Sequence, residues 1–221
     1  KGNLQITGGS LVKPDSVMRL STVKIKFESN IYCTGTLVGP KQVITAAHCL
    51  KGEMPTEVRF GLNPESSPDL TVPVKSWIYH PDYNSRNFDV AVVLLKNEVP
   101  TRFTYAPIAK AKTLKPGMSI YYAGYGSLTE DSKSSSDALY WTSVKIESID
   151  TDRRAFSTEI NGKGSCYGDS GGPGYVVDTD GACLLAVGVA QGQPQGPARR
   201  EVAVQGRHGA AFAEYGQSYR I

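Results

Sequence analysis

The chain has 221 residues, 40% hydrophobic and 20% charged, with a formal net charge of +3. Those proportions exclude a disordered chain, and the scattered Lys and Arg residues leave no nucleic-acid footprint. No apolar run approaches the length of a membrane-spanning helix, and residues 1–5 do not read as a signal peptide.

Twenty-three glycines and 13 prolines predict many turns between short strands. Residues 12–26 read as strand, with alternation at Met18, Leu20, Thr22 and Lys24. A turn at 27–30 leads to a strand at 31–38, closed by Gly39-Pro40-Lys41. Residues 42–46 form a short apolar strand that runs into Thr45-Ala46-Ala47-His48-Cys49, and another strand begins at 58–61. The polar loop 62–70 carries two acids, Glu65 and Asp69, read as solvated. Residues 71–79 alternate again, and 80–84 make a surface turn in which His80 is structural or solvent-facing. Asp89 then opens the apolar run 90–95, which suits a buried strand.

Residues 101–116 show no strong periodicity and read as a crossover. A strand at 119–125 is followed by a serine-rich loop, 128–137, expected to be exposed, mobile and open to nicking. Residues 139–146 form a strand, and the charged segment 150–160 has room for a short helix. Next comes Gly164-Ser165-Cys166-Tyr167-Gly168-Asp169-Ser170-Gly171-Gly172-Pro173. A serine held among glycines can expose its hydroxyl while backbone N–H groups converge on one spot, as an acyl-transfer nucleophile and its oxyanion hole require. The same residues also describe an ordinary surface turn. A hairpin over 174–177 and 182–189 turns at Asp178-Thr179-Asp180-Gly181. Residues 210–219 read as a closing helix, weakened by Gly216.

Three blocks decide between the two readings of Ser170. Ala-Ala-His-Cys at 46–49, Asp89 at the head of its apolar strand, and Gly-Asp-Ser-Gly-Gly-Pro at 168–173 occur in the order His, Asp, Ser, spaced 41 and 81 residues apart. In these motifs the chain resembles the trypsin/chymotrypsin family of serine endopeptidases, from about Ile6 onward and less closely after Gly192. The order excludes an α/β-hydrolase, which places its nucleophile first and its histidine last.

The resemblance implies an all-β fold of two antiparallel six-stranded Greek-key barrels, with the active site in the cleft between them and a short C-terminal helix. Residues 6–100 would form the first barrel with His48 and Asp89, 101–116 the crossover, and 117–221 the second barrel with Ser170, the specificity pocket and the helix. It also implies roles. Ser170 is the nucleophile, His48 the general base and Asp89 its orienting partner, with the N–H groups of Gly168 and Ser170 as oxyanion hole. In the family, cleavage before the residue at Ile6 frees an ammonium that pairs with the aspartate at Asp169. With residues 1–5 attached, Ile6 carries no charge, so the chain reads as a zymogen; Gln5 stands where a basic residue usually precedes the cut. A member that activates without this insertion is the other reading.

Cys33 and Cys49 match the family bridge that braces the histidine loop. Cys166 and Cys183 are left as a second bridge, by parity, or as two free thiols. The pocket implied is Gly164 at the floor, Ser165 beside it, Tyr167 at the mouth, and Ala190, Gln191 and Gly192 along the walls. No acid stands at Gly164, so a large apolar or aromatic P1 side chain is expected. The rival is an acidic P1 drawn by one of Arg199, Arg200, Arg207 or His208. A catalytically silent, protease-like binding protein is the alternative outside catalysis. No cofactor and no metal are expected. The partners are protein or peptide substrates, an activating protease and protein inhibitors, and the chain is expected to be a monomer. Disulfides favour secretion to the exterior or the periplasm, and their sparseness leans toward a bacterial or fungal source.

Overall fold

The computed structural model describes residues 9–84, 88–109, 113–127, 135–150, 155–158, 167–177, 184–189 and 202–203. The chain enters through a two-residue strand, β1 (Ser10–Leu11), and a 3-10 turn, Val17–Leu20. Six strands then follow: β2 (Thr22–Phe27), β3 (Tyr32–Gly39), β4 (Gln42–Thr45), β5 (Pro55–Phe60), β6 (Leu70–Tyr79) and β7 (Ala91–Leu95). They close into an antiparallel barrel in the order β2-β3-β4-β7-β6-β5. Side chains alternate across a strand, and Val23, Ile25 and Phe27 of β2 accordingly share one face with Leu37, Val43, Val58, Phe60, Val93 and Leu95. That face fills the barrel. The one-turn helix α1 (Ala47–Leu50) plugs one end through Ala47, Cys49 and Leu50 and leaves His48 out of the core.

The expected strand over 12–26 begins only at Thr22. Ser16 caps the 3-10 turn, accepting a hydrogen bond from the Met18 N–H at 3.3 Å, and this local bond captures Met18 and Leu20 before the ladder starts.

The expectation of two six-stranded barrels is corrected: only β2 to β7 form a closed barrel. Beyond the barrel are β8 (Ser119–Gly124), β9 (Tyr140–Asp150), β10 (Ala155–Thr158), β11 (Pro173–Val177), β12 (Leu184–Val189) and β13 (Val202–Ala203). With β1 they make a seven-stranded sheet, ordered β1-β9-β10-β13-β12-β11-β8, with a further β8–β9 pairing. The physical reason is uneven pairing. The β8–β9 ladder runs over six residue pairs, whereas β12 meets β13 at Val189↔Ala203 alone and β10 meets β13 at two pairs. β1, from the start of the chain, adds to the sheet through Ser10↔Trp141 and Leu11↔Tyr140. Among the described residues α1 is the only α-helix; residues 210–219 lie outside them. The segment expected to hold a short helix instead contributes β10, which buries Ala155 and Phe156 against β9. No helix among the described residues is long and apolar enough to cross a membrane.

Polar groups link the two sheets alongside apolar packing of Met18 and Leu62 on the cluster that holds Tyr125 and Tyr175. Tyr125, fully buried, donates its hydroxyl to Gly61 O at 2.7 Å. Tyr175, also fully buried, shares hydrogen bonds with Ser21 Oγ at 2.7 Å and Thr22 Oγ1 at 3.1 Å. Burial raises both phenols, Tyr175 to about 12, so each stays a neutral hydroxyl. Residues 128–134 of the serine-rich loop lie outside the described residues, but its end is anchored. Ser136 is buried, its carbonyl accepts from Lys24 Nζ at 2.9 Å, and the Asp137 carboxylate takes the Glu65 N–H at 2.6 Å and the Ser66 hydroxyl.

Candidate active site

α1 is too short to persist alone and is fixed by what surrounds it. A disulfide ties Cys49 to Cys33 on β3 across 16 residues. The turn brings His48 over Asp89, which sits just before β7. Two bonds join them: the His48 N–H donates to Asp89 Oδ1 at 2.7 Å, and His48 Nδ1 lies 2.6 Å from Asp89 Oδ2. The Asp89 side chain is 5% exposed and the His48 side chain 38%. One group is held dry and the other reaches solvent. Because a carboxylate accepts, Nδ1 carries the proton in this contact and Nε2 is free to accept in a neutral ring.

Asp89 owes its aim to a sharp turn. The Val90 N–H donates to Phe88 O at 2.7 Å across it, and Phe88 has φ of 56°, in the left-handed region a phenylalanine seldom adopts. Two features hold Phe88 there: its ring stacks on His80 with centroids 4.5 Å apart and planes 12° apart, and the His80 N–H donates to Val90 O at 2.9 Å. His80 is thus part of the scaffold behind Asp89.

Ser170 comes from the other sheet, three residues before β11, and is 8% exposed. The carbonyls around it are pinned one after another. Tyr167 O accepts from the Ser127 N–H at 2.5 Å, Gly168 O from the Thr34 hydroxyl at 2.7 Å, Asp169 O from the Gly172 N–H at 2.9 Å, and Ser170 O from the Thr34 N–H at 2.9 Å. In a trans peptide the N–H points opposite the carbonyl. Holding Tyr167 O and Asp169 O therefore fixes the planes of the two peptides that carry the N–H groups of Gly168 and Ser170. Gly168 has φ of 87°, which a side chain would oppose. Asp169 is 3% exposed, and its Oδ1 accepts the Gly126 N–H at 2.8 Å. A Cβ at Gly126 would collide with that carboxylate, so Gly-Tyr-Gly is required here by close approach.

The structure brings His48 and Asp89 together and places Ser170 on a rigid turn near the His48 helix, with Cys49 Sγ 3.7 Å from Ser170 O. No hydrogen bond between the Ser170 hydroxyl and His48 is among those the described residues make; such bonds are often long before substrate binds. Tyr167 is 39% exposed. Gly164, Ser165, Ala190, Gln191 and Gly192 of the expected pocket, Cys166 and Cys183, and Ile6 all lie outside the described residues.

A model of the family described as Trypsin matches residues 6–206. The chain belongs to the trypsin family. Kallikrein-8 of Rattus norvegicus is 32% identical over 162 residues, covering 65% of this chain and 62% of its own length. Granzyme E of Mus musculus is 33% identical over 205 residues, 84% of this chain and 82% of its own. The solved structure called GrC superposes with a TM-score of 0.75 at 24% identity over 89% of this chain and 93% of its own, a likeness of fold. The relatives matched are mostly animal proteins, with a trypsin of Saccharopolyspora erythraea among them, so the lean toward a bacterial or fungal source is withdrawn.

Two acids read as solvated prove to be paired. Glu65 Oε1 meets Lys24 Nζ at 2.9 Å and Asp69 Oδ2 meets Arg19 Nη2 at 2.8 Å. Lys24, 1% exposed, also lies over the Tyr32 ring at 4.3 Å, and burial lowers its ammonium below the usual lysine value. Three contributors to the site were not singled out from sequence. Thr34 and Ser127 look like ordinary strand and loop residues, and Phe88 carries none of the Gly, Asn or Asp signal that usually marks positive φ. His80 was legible as a turn residue but not as a stacking partner.

Proposed function

We propose that this member of the trypsin family is a serine endopeptidase that cleaves peptide bonds through an acyl-enzyme. The observation that carries the proposal is the 2.6 Å contact between His48 Nδ1 and a buried Asp89 carboxylate, beside a serine turn whose carbonyls are pinned by hydrogen bonds. Ser170 Oγ attacks the substrate carbonyl carbon and its proton passes to His48 Nε2. Asp89 keeps the ring in the accepting tautomer and stabilises the imidazolium. The N–H groups of Gly168 and Ser170 take the negative charge that develops on the carbonyl oxygen. The C–N bond then breaks as His48 returns the proton to the leaving amine. Water, deprotonated by His48, releases the acyl group and restores the Ser170 hydroxyl.

The P1 preference we favour is a large apolar or aromatic side chain. Gly164 at the expected pocket floor supplies no counter-charge for Arg or Lys. Acidic P1 through one of the late basic residues is the competing preference. Ile6 as a latent N-terminus for Asp169 is the activation we favour, and the protein is read as a secreted monomer acting on other proteins.

The test is labelling of Ser170 with a fluorophosphonate, followed by cleavage of a peptide library by the chain from Lys1 and by a version starting at Ile6. Labelling of Ser170 and cleavage after Phe, Tyr or Leu, stronger in the Ile6 form, is the expected result. Failure of both forms to label or cut refutes the reading in favour of a silent binding protein, and cleavage after Glu or Asp replaces the apolar pocket with a basic one.

A further inference from the structure

We infer that Thr34 of β3 is a positioning residue for the oxyanion hole, a strut from the closed barrel that holds the Gly168–Ser170 turn in its working shape. The inference rests on Ser170 being the nucleophile. It adds a residue from the histidine-bearing barrel to the electrophilic side of the site.

Thr34 is fully buried and makes four hydrogen bonds. Its hydroxyl donates to Gly168 O at 2.7 Å and accepts the Tyr125 N–H at 3.2 Å. Its own N–H donates to Ser170 O at 2.9 Å, and its carbonyl accepts the Thr45 hydroxyl at 2.9 Å. The direction of the hydroxyl follows from chemistry. Tyr125 N–H is a donor only, so the single proton of the hydroxyl has to serve Gly168 O.

The consequence is geometric. The two amides proposed for a substrate oxygen lie in the Tyr167–Gly168 and Asp169–Ser170 peptides, and Thr34 grips the carbonyls of the peptides that follow them, Gly168–Asp169 and Ser170–Gly171, so it fixes the chain on the far side of each of those two α-carbons. The turn cannot rotate its peptides without breaking two buried bonds to the same residue. The third contact links this grip to Gly124-Tyr125-Gly126, the stretch that receives the Asp169 carboxylate. The turn is thus tied on its Gly168, Asp169 and Ser170 positions to a strand that the Cys33–Cys49 bridge connects with His48. The backbone bond to Ser170 O needs no particular side chain, but the bridge from Gly168 O to Tyr125 N needs a hydroxyl. Valine copies the shape of threonine without it and leaves one buried acceptor and one buried donor unmatched. Serine keeps the hydroxyl and gives up a methyl group.

The experiment compares wild type, Thr34→Val and Thr34→Ser in the activated chain. The readouts are kcat, KM, and the affinity of a peptide aldehyde whose bound form carries an oxyanion-like oxygen. Thr34→Val is expected to lower kcat and aldehyde affinity together, by about 10- to 100-fold, less than the loss of an oxyanion donor itself. KM should change by less than about twofold, since ground-state contacts are untouched. Thr34→Ser should restore both values to within a few-fold of wild type. Wild-type kcat in Thr34→Val, or a loss in Thr34→Ser as deep as in Thr34→Val, overturns the inference. Amide hydrogen exchange at Tyr125 supplies a readout that needs no catalysis. It should accelerate in Thr34→Val and not in Thr34→Ser, and unchanged exchange also overturns the strut. If wild type itself neither labels nor hydrolyses, the reading of Ser170 fails, and the exchange measurement alone then decides whether Thr34 holds the turn.

Discussion

The half of the molecule that carries His48 and the half that carries Ser170 are held in different ways. The barrel encloses one apolar cluster running from Val23 on β2 to Phe103 beyond β7, and a disulfide crosses it beside the histidine. The seven-stranded sheet divides its apolar residues between two smaller clusters, one around Ile120 and Phe156 and one around Tyr125 and Tyr175. The second of these reaches the barrel through tyrosine hydroxyls. A general base needs a fixed ring with one exposed nitrogen, which packing and a buried carboxylate can supply. An oxyanion hole needs peptide planes at set angles, and only directional bonds can set those. The serine turn is therefore built from hydrogen bonds, several of them reaching across from the barrel.

The largest test of this division removes the chemistry on each side. Ser170→Ala and His48→Ala are each expected to reduce kcat by at least about 10⁴-fold, and the double variant by little more, because residues that act as a unit are not additive. Unfolding midpoints close to wild type would separate chemistry from folding. If the two single losses multiply instead, the two sides do not work as one device.

Packing predicts the next effects. Phe60→Ala empties the centre of the barrel, where its ring lies 4.8 Å from that of Phe103, and should cost about 3–5 kcal/mol in denaturant unfolding. Replacing Cys33 and Cys49 by serine frees a 16-residue span and should cost about 3 kcal/mol. Both losses should fall on the histidine side first. Hydrogen exchange in β2 and β5 ought to rise more than exchange in β8 and β9; equal rises would mean that the two halves unfold as one.

A smaller effect probes the aim of Asp89. His80→Ala removes the ring that keeps Phe88 at positive φ, and should lower kcat by about tenfold with KM unchanged, a cost of roughly 1.4 kcal/mol at the transition state. His80→Phe retains a stacking ring and should recover most of the activity. Equal loss in both would assign the effect to the imidazole nitrogens and not to the stack.

What could be read from the sequence follows the same division. Strands β3, β4, β6 and β7 were legible as apolar or alternating stretches bounded by turns, whereas β2 was read ten residues too early and β5 three residues too late. The three motif blocks were legible because their residue types and their order carry the resemblance to the family, whose model matches residues 6–206. The second sheet was harder. β10 hid behind the charged residues that precede it, β13 is two residues long, and β1 pairs with a strand some 130 positions later. Tyr125 ends the strand read over 119–125 and carries no signal of its own. Its use shows only in three dimensions, where the hydroxyl crosses to Gly61 O. Thr34 carries no sequence signal at all, since a threonine in a strand is ordinary.

The smallest effect lies at the seam between the halves and is read through pH. Burial works against ionisation of Asp137, but the Ser66 hydroxyl and the amides of Glu65 and Ser66 outweigh it and hold the carboxyl below its ordinary 3.8. A depressed carboxyl makes a folded state that binds fewer protons than the unfolded one, so its contribution is present above about pH 3.8 and disappears as pH falls through the lower folded value. Lys24 has the opposite charge but the same direction of shift, so stability should also rise with pH on approaching 10.5. Asp137→Asn should therefore melt below wild type at pH 6, and the two curves should converge under acid. Convergence would mean that the seam holds through a charged carboxylate accepting the 65–66 amides. A gap that stays constant down to pH 2 would mean that Asp137 matters by shape alone, and the barrel would then grip the serine side without help from ionised groups at this point.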